Sequence, residues 1–139
     1  MPTQAEENKA IIRRYNQEGI AQGNAATLRE LLSPGFINHS APAGADNGPA
    51  GMLYTFLQVL RPAFADLQVE VYDQVAEADK VTTRKALKGT HTGELLGIAP
   101  TGQAVVINVI DIYRLHEGKL VEHWGVNTLP AVLAQLATH

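Results

Sequence analysis

The hydrophobic period changes once along the 139-residue chain, and the change falls at Leu67. Before it, apolar residues recur at helical spacing: Ile11, Ile12, Tyr15 and Ile20 within 4–22, then Leu28, Leu31 and Leu32, then Met52, Leu53, Phe56, Leu57 and Leu60. After it the period is two: Leu67, Val69 and Val71 alternate with Gln68, Glu70 and Tyr72. Strands follow at Val81–His91, Ala104–Leu115 and Lys119–Val126, with turns at Ala78-Asp79-Lys80 and Glu117-Gly118. A short helix is expected from about Thr128 to Leu136. Three helices followed by four antiparallel strands define an α+β arrangement with segregated elements. Phe36-Ile37-Asn38-His39 reads as a further short strand, and Ser40–Gly51, rich in Ala, Pro, Gly, Asp and Asn, as a loop. A curved sheet wrapped over the helices would enclose a cone-shaped cavity.

The helix boundaries have local causes. Glu6 and Glu7 suit a helix N-terminus. Gly23-Asn24 ends the first helix and offers Asn24 as cap for the second, which Ser33-Pro34-Gly35 stops. Pro62 ends or kinks the third.

Length and composition narrow the function classes. One domain over 1–139 is expected. Eleven Lys and Arg against 14 Asp and Glu leave a net charge of −3, without the basic stripe of a nucleic-acid binder. With no cysteine, disulfides, thiolate catalysis and cysteine-ligated zinc are excluded. No apolar run approaches membrane-spanning length. Met1–Glu7 has neither the basic nor the apolar region of a signal peptide, so the chain reads as cytoplasmic. No histidine pair has metal-ligand spacing, and no phosphate loop, nucleophile elbow or dinucleotide fingerprint occurs.

The anomaly in the pattern is Asp111. It lies in Val105–Tyr113, whose two faces are both largely apolar, so the strand is expected to be buried on both sides. A lone carboxylate there is costly unless paired or protonated, and burial alone would raise its pKa. A two-residue loop at Glu117-Gly118 pairs Asp111 with Trp124, the only indole in the chain. A carboxylate desolvated against an indole is an acid/base candidate; a structural, hydrogen-bonded carboxylate is the alternative. A register slip of one residue would destroy the pairing. His91, where a strand meets the Gly93–Gly102 connection, is a second candidate, with a half-exposed strand-end histidine as the alternative. Strand alternation puts one of Asn38 and His39 toward the cavity and leaves open which. Tyr15, Phe36, Phe56 and Tyr113 are expected on the cavity wall or in the core beside it. His123 is expected on the face opposite Trp124, in a structural or interface role. His116 and His139 are read as solvated and terminal.

Two stretches carry a family resemblance. Lys88-Gly89-Thr90-His91-Thr92-Gly93-Glu94-Leu95-Leu96-Gly97-Ile98-Ala99-Pro100-Thr101-Gly102 is one. Ile110-Asp111-Ile112-Tyr113-Arg114, followed by Gly118-Lys119-Leu120-Val121-Glu122-His123-Trp124, is the other. Both resemble the signature of SnoaL-like polyketide cyclases, also called ester cyclases. The resemblance implies the nuclear-transport-factor-like α+β cone and a cofactor-free intramolecular aldol cyclisation of an apolar polycarbonyl or aromatic substrate. Asp111 would be the acid/base group and His91 would assist in the same pocket. Trp124, Asn38, His39, Tyr15, Phe36, Tyr113 and Phe56 would line the site. It also implies a homodimer paired through the outer sheet face, with a tetramer left open. Ketosteroid isomerases share the superfamily, but Asn38 and His39 stand where their catalytic Asp is expected. A lipophilic-metabolite binder and a cofactor-independent oxygenase are the other readings.

Overall fold

The computed structural model describes residues 2–138; His139 lies outside them. Helix α1 (Gln4–Arg14) is capped by Thr3, whose side chain accepts from the Glu6 amide, and carries Glu6 and Glu7 in its first turn. It continues as a wider π-helical stretch, Tyr15–Ala21. Asn24 caps α2 (Ala25–Leu31) by accepting from the Thr27 amide at 3.2 Å. Strand β1 (Leu32–Asn38) starts four residues before the expected one. Helix α3 (Pro49–Tyr54) opens on a proline at its first turn and runs through a π-helical stretch, Thr55–Leu60, into α4 (Arg61–Ala63). Pro62 therefore sits inside the last helical turn, which ends one residue later at Ala63.

The second half is the sheet: β2 (Gln68–Glu77), β3 (Lys80–Thr90), β4 (Ala104–His116) and β5 (Lys119–Asn127), closed by α5 (Leu129–Ala137). Its order is β1-β5-β4-β3-β2. The four long strands are antiparallel neighbours, and β1 joins parallel to β5. The β4–β5 turn is the expected two-residue loop, with Glu117 and Gly118 both at positive φ and His116 opposite Lys119.

One sheet face packs on the helices. Along β4 that face carries Val105, Ile107, Val109, Asp111, Tyr113 and Leu115, and along β3 it carries Val81, Thr83, Lys85 and Leu87. These residues meet Ile12, Tyr15, Ile20, Leu28, Phe36, Phe56 and Leu60 in one core. The opposite face is exposed and partly apolar, with Val75, Val106, Ile110 and Val126 in solvent. No helix among the described residues is long and apolar enough to cross a membrane.

Candidate active site

The register that pairs Asp111 with Trp124 is not the one observed. Leu115 pairs with Leu120, but Arg114 pairs with Glu122, so Val121 is an extra residue in β5. This bulge shifts everything beyond it by one. Asp111 lies opposite Gly125, and Trp124 lies opposite Ile112 on the other face. There the indole stacks on His39 at 4.9 Å, with Lys80 5.7 Å above the ring. Trp124 and His39 are thus both removed from the helix-facing side that holds Asp111, against expectation. Asn38 is the inward member of its pair.

The same bulge turns His123 inward, which corrects its expected role. Its Nε2 lies 3.5 Å from Asp111 Oδ2. Gly125 makes this approach possible. A Cβ on Gly125 would stand 3.0 Å from His123 Cε1 and Nε2 and 3.2 Å from Asp111 Cβ.

Around Asp111 runs a connected polar chain. Lys85, 3% exposed, holds its Nζ 3.2 Å from Asp111 Oδ2 and donates to Asn16 Oδ1 at 2.7 Å. Asn16 Nδ2 donates to the Ile12 carbonyl at 3.0 Å. On the other side His123 Nδ1 meets Asn38 Oδ1 at 2.7 Å. The Ser40 amide donates to the same Asn38 oxygen at 3.0 Å, which fixes the amide's orientation. An acceptor at Asn38 requires a donor at His123 Nδ1. His123 Nε2 and the Asp111 carboxylate are then two acceptors facing each other, and the contact is favourable only with a proton between them. The Asn38 amide thus fixes Nδ1 as a protonated nitrogen of the ring.

The charge on Asp111 follows from its neighbours. Burial pushes its pKa up, but the Lys85 ammonium and His123 outweigh burial and hold it below the ordinary value. The upward shift expected from the sequence is reversed, because the carboxylate is not alone. One oxygen, Oδ1, has no protein partner, and neither has Thr83 Oγ1 on the residue directly opposite.

The π-helical stretch brings consecutive residues Tyr15 and Asn16 both to full burial at this site. The Tyr113 hydroxyl donates to the Tyr15 hydroxyl at 3.0 Å. Phe56 meets the Tyr15 ring edge-on at 6.1 Å, and Phe36 stacks on Tyr113 at 6.3 Å. These four expected wall residues do share the interior with Asp111. Burial pushes both tyrosine hydroxyls well above their usual range, so they stay neutral donors.

His91 is placed elsewhere. Asp111 pairs with Thr83, and His91 lies eight residues further along, roughly 25 Å of strand at ~3.3 Å per residue. Fully buried, it accepts from the Thr101 amide at Nδ1 (3.2 Å) and contacts the Thr101 hydroxyl at 2.9 Å. Its backbone bonds Gln103 and Gly102. It closes the base of the 92–102 loop and is not brought to Asp111.

Sequence reasoning missed Lys85, Asn16 and His123. Lys85 had a signal: it is the one charged residue on the period-two face Val81, Thr83, Lys85, Leu87. Among the described residues no group of three or more His, Asp or Glu is placed to hold a metal ion.

An α+β cone with an ionised carboxylate, a histidine and a lysine linked inside it defines a protein built around an interior polar site. The family model described as SnoaL-like polyketide cyclase matches residues 10–136, and the chain belongs to that family. A SnoaL-like polyketide cyclase candidate from Jannaschia sp. CCS1 is 27% identical, with a TM-score of 0.83 over 100% of this chain and 98% of its own. IdmH from Streptomyces antibioticus, a candidate polyketide cyclase, is 30% identical, with a TM-score of 0.78 over 94% of this chain and 98% of its own. AclR from Streptomyces galilaeus, a candidate hydroxylase, is 29% identical, with a TM-score of 0.84 over 98% of this chain and 99% of its own. No curated protein matches the sequence.

Proposed function

We propose that the chain is an acid/base enzyme that closes a ring in an apolar polycarbonyl compound by intramolecular aldol addition, without a cofactor. The observation that carries this reading is the placement of His123 Nε2 and Lys85 Nζ, at 3.5 and 3.2 Å, around the buried Asp111 carboxylate inside an aromatic-lined interior. A carbon between two carbonyls carries an already acidic C–H, so taking its proton and leaving the electron pair as an enolate needs one positioned base in a dry site. Asp111 Oδ1, free of protein partners, is the atom that would take it. The enolate carbon then attacks a second carbonyl of the same molecule. The C–C bond forms as that C=O opens, and the alkoxide takes a proton from the His123–Asp111 pair. Phe36, Phe56, Tyr15 and Tyr113 would hold the chain folded. The Ser40 hydroxyl accepts from the Gly125 amide at 2.8 Å, which ties the loop after β1 to the edge of the site.

The test is deuterium incorporation at the central carbon of benzoylacetone. The wild-type protein is expected to accelerate it over buffer, and Asp111→Asn to lose about 10²-fold or more of that acceleration. Unchanged exchange in Asp111→Asn would overturn the base assignment. A lipophilic-metabolite binder would instead bind the diketone without exchanging its proton.

A second copy of the chain is the proposed partner. The outer sheet face exposes Ile110 and Val126 beside Tyr72 and Arg84, which line an open groove of about 330 Å³. A dimer through this face would cover them. Ile110→Glu is expected to give a monomer in sedimentation; wild type sedimenting as a monomer would refute the proposal.

A further inference from the structure

We propose that Thr83 and Lys85 form a binding site for the enolate oxygen of a 1,3-dicarbonyl ligand, a positioning and charge-stabilising role separate from the proton transfer at Asp111 and His123. The inference rests on the reading that the interior receives polycarbonyl compounds. Its own foundation is a set of unspent donors. Thr83 is fully buried, on the helix-facing side of β3, and its hydroxyl has no hydrogen-bond partner. A buried hydroxyl left unpaired is a cost that natural interiors rarely retain without a reason. Asp111 Oδ1 on the facing residue is unpaired as well. Two orphaned polar atoms on directly opposed residues are not satisfying each other. Both are available to a third group.

Lys85, two residues along the same face, supplies the charge. Its ammonium has three N–H donors. Asp111 Oδ2 and Asn16 Oδ1 take two of them, and one remains. Asn16 is anchored in turn to the Ile12 carbonyl, so the amine is held rather than mobile. A fixed ammonium and a hydroxyl, both dehydrated, are donors suited to an oxygen on which negative charge develops. A neutral carbonyl gains less from them than an enolate does. That difference is what a group must show to lower the barrier to proton removal. Thr83 and Lys85 would thus face the oxygen while Asp111 Oδ1 faces the carbon that loses its proton. Benign burial is the competing account, and the two differ in what the hydroxyl does for a ligand.

The experiment uses acetylacetone, whose enolate absorbs in the near ultraviolet, and the Thr83→Val variant, which keeps the side-chain shape and removes only the hydroxyl. The wild type is expected to bind acetylacetone as its enolate at a pH where the free compound is neutral. Thr83→Val is expected to melt at a higher temperature, because an unpaired buried hydroxyl is gone, and to bind the enolate tenfold or more weakly. Lys85→Arg is expected to keep the fold and lose most of the enolate absorbance. A Thr83→Val protein with a raised melting temperature and affinity within twofold of wild type would overturn the proposal. So would a wild type that binds no enolate. The two readings fail separately: if Asp111→Asn abolishes benzoylacetone exchange while Thr83→Val binds the enolate normally, the acid/base reading stands and this one falls; if Asp111→Asn leaves exchange unchanged while Thr83→Val loses enolate binding, the reverse holds.

Discussion

Replacing both members of the Lys85–Asp111 pair by apolar residues asks whether the fold needs that pair. Each is 3% exposed, and they meet at 3.2 Å. Asp111→Leu alone strands the ammonium with only the Asn16 carbonyl, and Lys85→Met alone strands the carboxylate with only His123. Breaking one side of a buried ion pair costs about 3–5 kcal/mol, because the remaining charge is desolvated and uncompensated. In the double variant both desolvation penalties vanish. What remains is a lost donor at Asn16 Oδ1 and a lost acceptor at His123 Nε2, about 1 kcal/mol each. The double variant is therefore expected within about 2 kcal/mol of wild type, with a coupling of at least about 4 kcal/mol between the sites. A domain of this kind has about 5–15 kcal/mol in total, so both singles should remain folded enough to measure. Urea unfolding followed by far-ultraviolet circular dichroism, with m-values compared across the four proteins, gives the cycle. If the double variant loses as much as the singles added together, the pair is not coupled as its geometry requires. If it is coupled yet the double stays 4 kcal/mol below wild type, the pair belongs to the fold and its retention says nothing about function.

Three further outcomes are expected. Gly125→Ala places a methyl 3.0 Å from the His123 ring and forces it away from Asp111 by a few tenths of an ångström; kcat should fall about three- to tenfold with KM little changed, while the melting temperature moves by only a few degrees. Deleting Val121 removes the bulged residue but leaves Arg114 opposite Glu122 and His123 opposite Tyr113, so the imidazole stays inward; the variant should still melt cooperatively and keep its exchange activity, and loss of both would refute the register argument. The Asp111 carboxyl is held below its ordinary value in the folded chain, so its contribution to stability is complete above the unfolded value of ~3.9 and is lost as pH falls through the depressed folded one. Asp111→Asn should accordingly show a shallower loss of stability below about pH 4, measured by urea midpoints across the acid range.

The architecture was legible because it rests on periodicity. A sequence that changes period once, at Leu67, and places Glu117-Gly118 between alternating segments specifies the antiparallel order without help from tertiary contacts. The parallel pairing of β1 with β5 was not legible. Nothing local to Leu32–Asn38 says which edge it joins; the pairing is seen only in contacts distant in sequence, Leu32 with Leu120 and Asn38 with His123. The π-helical stretch at Tyr15–Ala21 was also hidden, since its composition is compatible with an ordinary helix.

The site depended on parity, which is a finer property than element type. Alternation assigns each residue of β5 to a face only when counted from a known pairing without interruption. Val121 interrupts the count three residues after the turn, and no residue type in Lys119–Glu122 announces a bulge. The error it introduces is complete: every residue beyond it changes face, so the indole leaves and the imidazole enters. The consequence for Asp111 is a change of chemical kind. Opposite an indole it would be an isolated, proton-holding acid. Between Lys85 and His123 it is an ionised base with a proton donor beside it. Asp111 itself could be singled out from one strand because its anomaly needs no partner to be seen. Its role is set by residues from the π-helical stretch, β1, β3 and β5, and their meeting point depends on a single inserted residue.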